Sequence, residues 1–236
     1  MQNLLSIKLI DRKEEAKGID IFTFEPSQKL SFLPGQFVLL HATIEGKEIK
    51  RAYSIASSPL DEYLELIIEK VSGGLMTTYL FDTLQIGENL IISSPQGVFK
   101  YDETVGDEIV MITGGTGIAP MRSIIRYCTE KKLDTKLLLI YSSRSKERVL
   151  FQDELNQLEK KNNNFSIRIT YTRECPEGWE GAVGRVNEEL IREAVSNING
   201  SIFYLCGSVE MINSMVNILK SLNVDKSNIK RDVWGH

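Results

Sequence analysis

Near Asp102 the hydrophobic pattern changes its period, so the chain must build two different architectures. Before that point the apolar residues fall in short alternating runs: Ile7/Leu9, Phe22/Phe24, Phe37–Leu40, Leu64/Leu66/Ile68 and Leu90–Ile92. Turn signals separate them at Lys17-Gly18, Pro34-Gly35, Glu45-Gly46-Lys47, Ser58-Pro59 and Ile86-Gly87. Five or six short strands at this spacing predict a small antiparallel barrel, with one helical interruption at Leu75–Leu84. After Asp102, strand-sized runs alternate with helical spacing. The expected strands are Ile109–Thr113, Lys136–Tyr141, Ser166–Tyr171, Ile202–Leu205 and a short one near Ile229–Val233. Between them, Ile118/Met121/Ile125/Cys128, Phe151–Glu159, Asn187–Val195 and Val209–Leu222 read as amphipathic helices. Buried parallel strands joined by such crossovers make a doubly wound α/β domain. The expected division is 1–101 and 102–236.

Composition removes several classes. With 42% hydrophobic and 25% charged residues, the chain is too apolar for general disorder. Its longest apolar runs, such as Leu137–Tyr141, fall far short of the ~18 residues of a membrane span, so no membrane insertion is expected. Met1-Gln2-Asn3-Leu4-Leu5-Ser6 has no basic region followed by an apolar one, so no secretory signal is expected. Cys128, Cys175 and Cys206 are far apart, and the only histidines are His41 and His236. That excludes a zinc ribbon, a disulfide scaffold and a four-cysteine iron–sulfur centre within this chain, and no metal site is expected. A reducing compartment, the cytoplasm, is the simplest reading. The net charge of −4 falls entirely in residues 1–102, with 10 basic and 14 acidic side chains, because residues 103–236 carry 18 of each. Neither half is a basic patch, which gives nucleic-acid binding no support.

Three segments carry chemistry. Gly114-Gly115-Thr116-Gly117-Ile118-Ala119-Pro120 follows an apolar strand and opens a helix, where glycines let backbone approach a phosphate and the helix offers unpaired N–H groups. Pro120 stands where the dinucleotide fingerprint would place a third glycine, and an ordinary strand-to-helix turn would use the same residues. Arg51-Ala52-Tyr53-Ser54 puts a cation, an aromatic plane and a hydroxyl within four residues, with Arg51, Tyr53 and Ile55 on one face. These suit a phosphate, a flat ring and that ring's polar edge; a solvated arginine and a half-buried tyrosine suit them as well. Gly73-Gly74-Leu75-Met76-Thr77-Thr78 is a second glycine-flanked helix start, or simply a turn with an N-cap threonine.

Taken in order, Arg-x-Tyr-Ser, Gly-Gly-Leu-Met-Thr-Thr, Pro95-Gln96-Gly97-Val98-Phe99, Gly-Gly-Thr-Gly-Ile-Ala-Pro, Cys206-Gly207-Ser208-x-x-Met211 and a terminal Trp234 together resemble the ferredoxin–NADP reductase family, in a stand-alone two-domain form. The resemblance runs from about Leu4 to Trp234. It implies an FAD-binding barrel followed by an NAD(P)-binding α/β domain. It assigns Arg51 to the FAD pyrophosphate, Tyr53 to the isoalloxazine face and Ser54 to the flavin nitrogen that receives hydride. Gly74, Leu75, Met76 and Thr77 would give the pyrophosphate backbone and hydroxyl donors, with Ile68 and Glu69 lining the flavin. Gly114, Gly115, Thr116, Gly117, Ala119 and Pro120 resemble the nicotinamide-cofactor phosphate loop. Cys206 would face the nicotinamide, with Gly207 beside it at the strand end and Met211 completing the cofactor-binding block; a thiol buried for packing is the competing reading. Trp234 resembles the aromatic that covers the flavin, and its ending looks most like the diflavin cytochrome reductases. Gly235-His236 depart from that pattern, and leave an edge-strand aromatic, or one displaced by the tail, as the other options.

Ser143-Arg144 and Arg173 follow the second and third parallel strands. They resemble the loops that read a 2′-phosphate, and arginine suits that role, so NADP(H) is favoured over NAD(H). The implied chemistry is hydride transfer between NAD(P)H and FAD at the domain interface, with Ser54, Cys206 and Trp234 shaping the reacting site. Electrons would pass to or from a ferredoxin, a flavodoxin or another one-electron acceptor protein. A flavin reductase that releases reduced flavin is one alternative, and an FAD-binding electron-transfer subunit of a larger complex is another.

Overall fold

In the computed structural model, residues 4–234 are described, with Trp234 as backbone only. The alternating runs pair there as six antiparallel strands: β1 (Leu4–Ala16), β2 (Ile19–Pro26), β3 (Phe37–Ile44), β4 (Lys47–Ser54), β5 (Leu64–Glu69) and β6 (Asn89–Ser93). Their order is β4-β3-β6-β1-β2-β5. A bridge between Ile55, just past β4, and Leu66 on β5 joins the two edge strands and closes the sheet into a barrel. The β3–β4 hairpin turns on Glu45 and Gly46, at φ 51° and 74°, the two consecutive positive values that suit the right-handed twist of the strands. Ile7, Leu9, Phe22, Phe24, Val38, Leu40, Leu64 and Leu66 fill one core. Helix α1 (Leu75–Asp82) adds Met76 and Leu80 to it.

The second half gives β7 (Glu108–Gly114), β8 (Lys136–Ser143), β9 (Phe165–Tyr171), β10 (Ala182–Val183), β11 (Ile202–Ser208) and β12 (Ile229–Trp234). All pair in parallel, in the order β10-β9-β8-β7-β11-β12. The crossovers are α2 (Ile118–Glu130), α3 (Gln152–Lys161), α4 (Glu188–Ala194) and α5 (Val209–Ser221). Residues expected to be apolar core are so: Val110, Ile112, Phe203 and Leu205 pack with Ile212, Met215 and Leu219 of α5. The chain works outward from β7 to β10, then returns to the far side of β7 with β11. This reversal places a topological switch point between β7 and β11, where open α/β sheets leave a crevice outside the strand carboxyl ends.

Packing divides the chain into two units, the first running to Tyr101 and including Ala119–Tyr127, the second holding Asp102–Ile118 and the chain from Cys128. Within the first, Arg122 donates to the Ala56 carbonyl at 2.9 Å and to Glu65 at 2.6 Å, and the Ser123 hydroxyl donates to the Ser57 carbonyl at 2.6 Å. Periodicity missed β10, which has two residues and no apolar run, and the 3-10 turn Gly115–Gly117 before α2. It also misplaced a cap. The N-cap of α1 is Gly74 rather than a threonine, and no side chain caps that end. No helix among the described residues is long and apolar enough to cross a membrane.

Candidate functional site

The barrel's candidate residues lie on β4, β5 and the start of α1. Arg51 is exposed and its guanidinium donates to the Lys50 carbonyl at 2.8 Å. Tyr53, opposite Val38 on β3, is half-buried against the barrel core. Burial pushes its phenol up to about 12, with the neighbouring Arg51 charge opposing, so the ring stays neutral at any physiological pH. Ser54 ends β4 opposite Phe37 and is buried. Ile68 and Met76 send their side chains into the core, so they offer a ligand only backbone. Glu69 and Leu75 are exposed.

Gly73, at φ 73°, turns the chain into α1. A Cβ on Gly74 would sit 2.7 Å from the Thr77 hydroxyl and 3.2 Å from Val71. That hydroxyl is turned inward onto the Gly74 and Val71 carbonyls, at 3.1 and 3.3 Å, which departs from a direct hydroxyl contact with pyrophosphate. The amino-terminal N–H groups of Leu75, Met76 and Thr77 have no acceptor in the preceding turn of a helix. An uncapped helix start behind two glycines, with no acidic residue in its first turn, fits a pyrophosphate.

In the second unit the switch point gathers most of the residues singled out from the sequence. Gly117 is buried where a Cβ would meet the Cys206 carbonyl oxygen and the Thr113 hydroxyl, each at 2.7 Å. The Thr113 hydroxyl itself donates to the Cys206 carbonyl at 2.8 Å. Only hydrogen fits between the glycine turn and the end of β11. The Met211 sulfur would lie 3.1 Å from a Cβ on Gly207 and 3.6 Å from one on Gly114, so it lines the same gap. Met211 is held by α5's cap, where the Ser208 hydroxyl accepts its N–H at 3.3 Å. Gly115, at φ 56°, has no heavy atom within 4 Å of a would-be Cβ and faces open space, and Thr116 is half-buried beside it. Gly114 caps this turn with no side-chain hydrogen bond. Ala119 and Pro120, which belong to the first unit, are buried in the first turn of α2, where proline needs no N–H acceptor. This cradle of glycine backbone, in the 3-10 turn Gly115–Gly117 that leads into α2, fits a dinucleotide's phosphates.

Arg144 and Arg173 are exposed on adjacent loops, since the Arg173 N–H donates to the Arg144 carbonyl at 3.2 Å. The Ser143 hydroxyl is turned away from solvent onto the Ser145 carbonyl at 2.8 Å. Trp234 ends β12 opposite Ser208, but its side chain, with Gly235 and His236, lies outside the described residues. Sequence reasoning passed over Thr113 and Tyr141. Each is a buried hydroxyl-bearing residue near the carboxyl end of a parallel strand, and that placement was the available signal.

Comparison with known proteins identifies both halves of the chain as oxidoreductase domains. Residues 6–101 match the oxidoreductase FAD-binding domain family, and residues 111–217 match the oxidoreductase NAD-binding domain family. The chain is 33% identical to an NADH-cytochrome b5 reductase 1 of Aspergillus oryzae, over 93% of the chain and 79% of that protein. It is 27% identical to the glycine betaine monooxygenase reductase subunit of Pseudomonas aeruginosa, over 94% of the chain but only 62% of that protein's length. A crystal structure of a ferredoxin NADP+ reductase from Neisseria gonorrhoeae, with bound FAD and NADP, has the same fold: TM-score 0.81, 21% identity, 99% of both chains.

Proposed function

The chain belongs to the ferredoxin–NADP reductase-like family of flavoprotein oxidoreductases, and from that premise we propose that it passes electrons between NAD(P)H and a separate one-electron carrier protein through FAD. The observation that carries this reading is the switch point, where Gly114–Gly117, Cys206, Gly207 and Met211 converge on one cradle. Bound FAD supplies the chemistry of accepting a hydride and releasing electrons singly. The chain's residues then have positional roles, with 1–101 read as the FAD-binding half and 102–236 as the nucleotide-binding half. Arg51 and the α1 amides hold the pyrophosphate, Tyr53 presents a neutral ring to the isoalloxazine, and Ser54 hydrogen-bonds its edge. Ile68, Glu69, Gly74, Leu75, Met76 and Thr77 contribute mainly backbone. Gly114–Gly117, Ala119 and Pro120 form the turn that takes the nicotinamide cofactor's phosphates, while Cys206 and Gly207 bound the place of the nicotinamide.

Arg144 and Arg173 support NADPH as the preferred donor, since two exposed guanidinium groups on joined loops suit a 2′-phosphate. The NADH-cytochrome b5 reductase among its relatives favours NADH instead. The carrier we propose first is a ferredoxin or flavodoxin. A cytochrome b5 or an oxygenase component is the second reading, favoured by the names of the two relatives. The thiols of Cys128, Cys175 and Cys206, none of them in a disulfide, suit a cytoplasmic location. Steady-state ferricyanide reduction with each donor tests the donor, and replacing ferricyanide with purified ferredoxin, flavodoxin or cytochrome b5 tests the carrier. A higher kcat/KM with NADPH supports the arginine reading, and equal or lower values refute it. A colourless purified protein that turns over only with added flavin would replace the whole reading with a flavin reductase.

A further inference from the structure

We propose that Tyr141 is a positioning residue for the nicotinamide nucleotide, its hydroxyl locking the glycine turn to the segment that leads into α3. Tyr141 lies near the carboxyl end of β8, opposite Thr113 on β7, and is fully buried. Its hydroxyl donates to the Gly115 carbonyl at 3.0 Å and accepts the Leu150 N–H at 3.3 Å. One phenol thus uses its proton on one loop and a lone pair on another. The Gly115 carbonyl also closes the 3-10 turn by accepting the Ile118 N–H, so the hydroxyl grips the turn at the atom that sets its shape. At the other end, Leu150 is buried and precedes Phe151, which holds the left-handed conformation at φ 58° as the N-cap of α3. A bulky side chain rarely adopts that conformation, so the turn must be held by its surroundings. The segment so fixed begins at Arg144, whose loop is tied to Arg173.

The consequence is that the phosphate turn and the arginine-bearing loop share one rigid reference, the phenol oxygen, rather than moving separately. This rests on the proposed reading of Gly114–Gly117 as the phosphate turn. Tyr141→Phe keeps the ring and removes the oxygen. Ferricyanide reduction by the FAD-loaded protein should then show KM for NADPH and NADH raised about fivefold, the effect of one neutral hydrogen bond, with kcat within about twofold and FAD content unchanged. Titration with NADP+ and NAD+ should weaken in parallel. An unchanged KM, or an equal fall in kcat and kcat/KM, would overturn the proposal. If the variant does not fold, hydrogen exchange on the wild-type protein decides: a Leu150 amide exchanging as fast as exposed loop amides would also overturn it, and slow exchange supports it. If the wild-type flavin is not reduced by either donor, the underlying reading fails instead, which is distinguishable from an unaffected Tyr141→Phe.

Discussion

Gly117 and Gly115 stand two residues apart in the same turn and answer to different constraints. Gly117 has no room: a methyl group would meet the Cys206 carbonyl and the Thr113 hydroxyl at 2.7 Å. Gly115 has room but a left-handed backbone, at φ 56°. Gly117→Ala should therefore lose about 2–3 kcal/mol of stability by overpacking and most nucleotide affinity, since the turn and the end of β11 must separate. Gly115→Ala should lose only about 1–2 kcal/mol, from backbone strain. Chemical denaturation and NADP+ titration of the pair check the order. Tyr53 gives a pH prediction. Its folded phenol titrates near 12 against about 10 unfolded, so between those values the unfolded chain binds fewer protons and stability falls as pH rises. The loss is on the order of 2 kcal/mol by pH 12, and Tyr53→Phe should remove that part of the slope between pH 10 and 12 in thermal melts. At this scale the sequence displays which residues are glycine or tyrosine but not what surrounds them. The motif marks Gly117, whereas the carbonyl that excludes a side chain comes from a residue 89 positions later.

Among the elements, α1 has eight residues, too few to be stable alone, and must be anchored to present its amino terminus. Arg12 on β1 provides the anchor. Its guanidinium donates to Asp20 at 2.6 Å and to the Phe81 carbonyl in the last turn of α1 at 2.7 Å, and lies 4.5 Å from the Phe81 ring centre. A cation at a helix carboxyl end also complements the helix dipole. Arg12→Met should destabilise the barrel by about 2–3 kcal/mol, because Asp20 is buried and loses its partner, and should lower the FAD-to-protein ratio after gel filtration. Unchanged retention with a lowered Tm would confine Arg12 to stability. The elements themselves were largely legible: α2 and α5 start where the helical spacing of Ile118 and Val209 begins, and in α5 that stripe of Ile212, Met215 and Leu219 packs on the sheet. β10 was not, since two residues inside a polar loop pair only because β9 offers an open edge.

For the molecule as a whole, the change of period at Asp102 separates an antiparallel barrel from a parallel sheet. Strand order was the part that periodicity could not supply, because it depends on which faces the crossovers cover, and that order puts Gly117 beside Cys206. The central claim is that the barrel carries a tightly held FAD that NAD(P)H reduces. Anaerobic mixing of the purified protein with NADPH and with NADH, following the flavin's visible band, tests it most directly. The expected result is bleaching within the catalytic time, faster with NADPH than with NADH. A band that persists with both donors would contradict it.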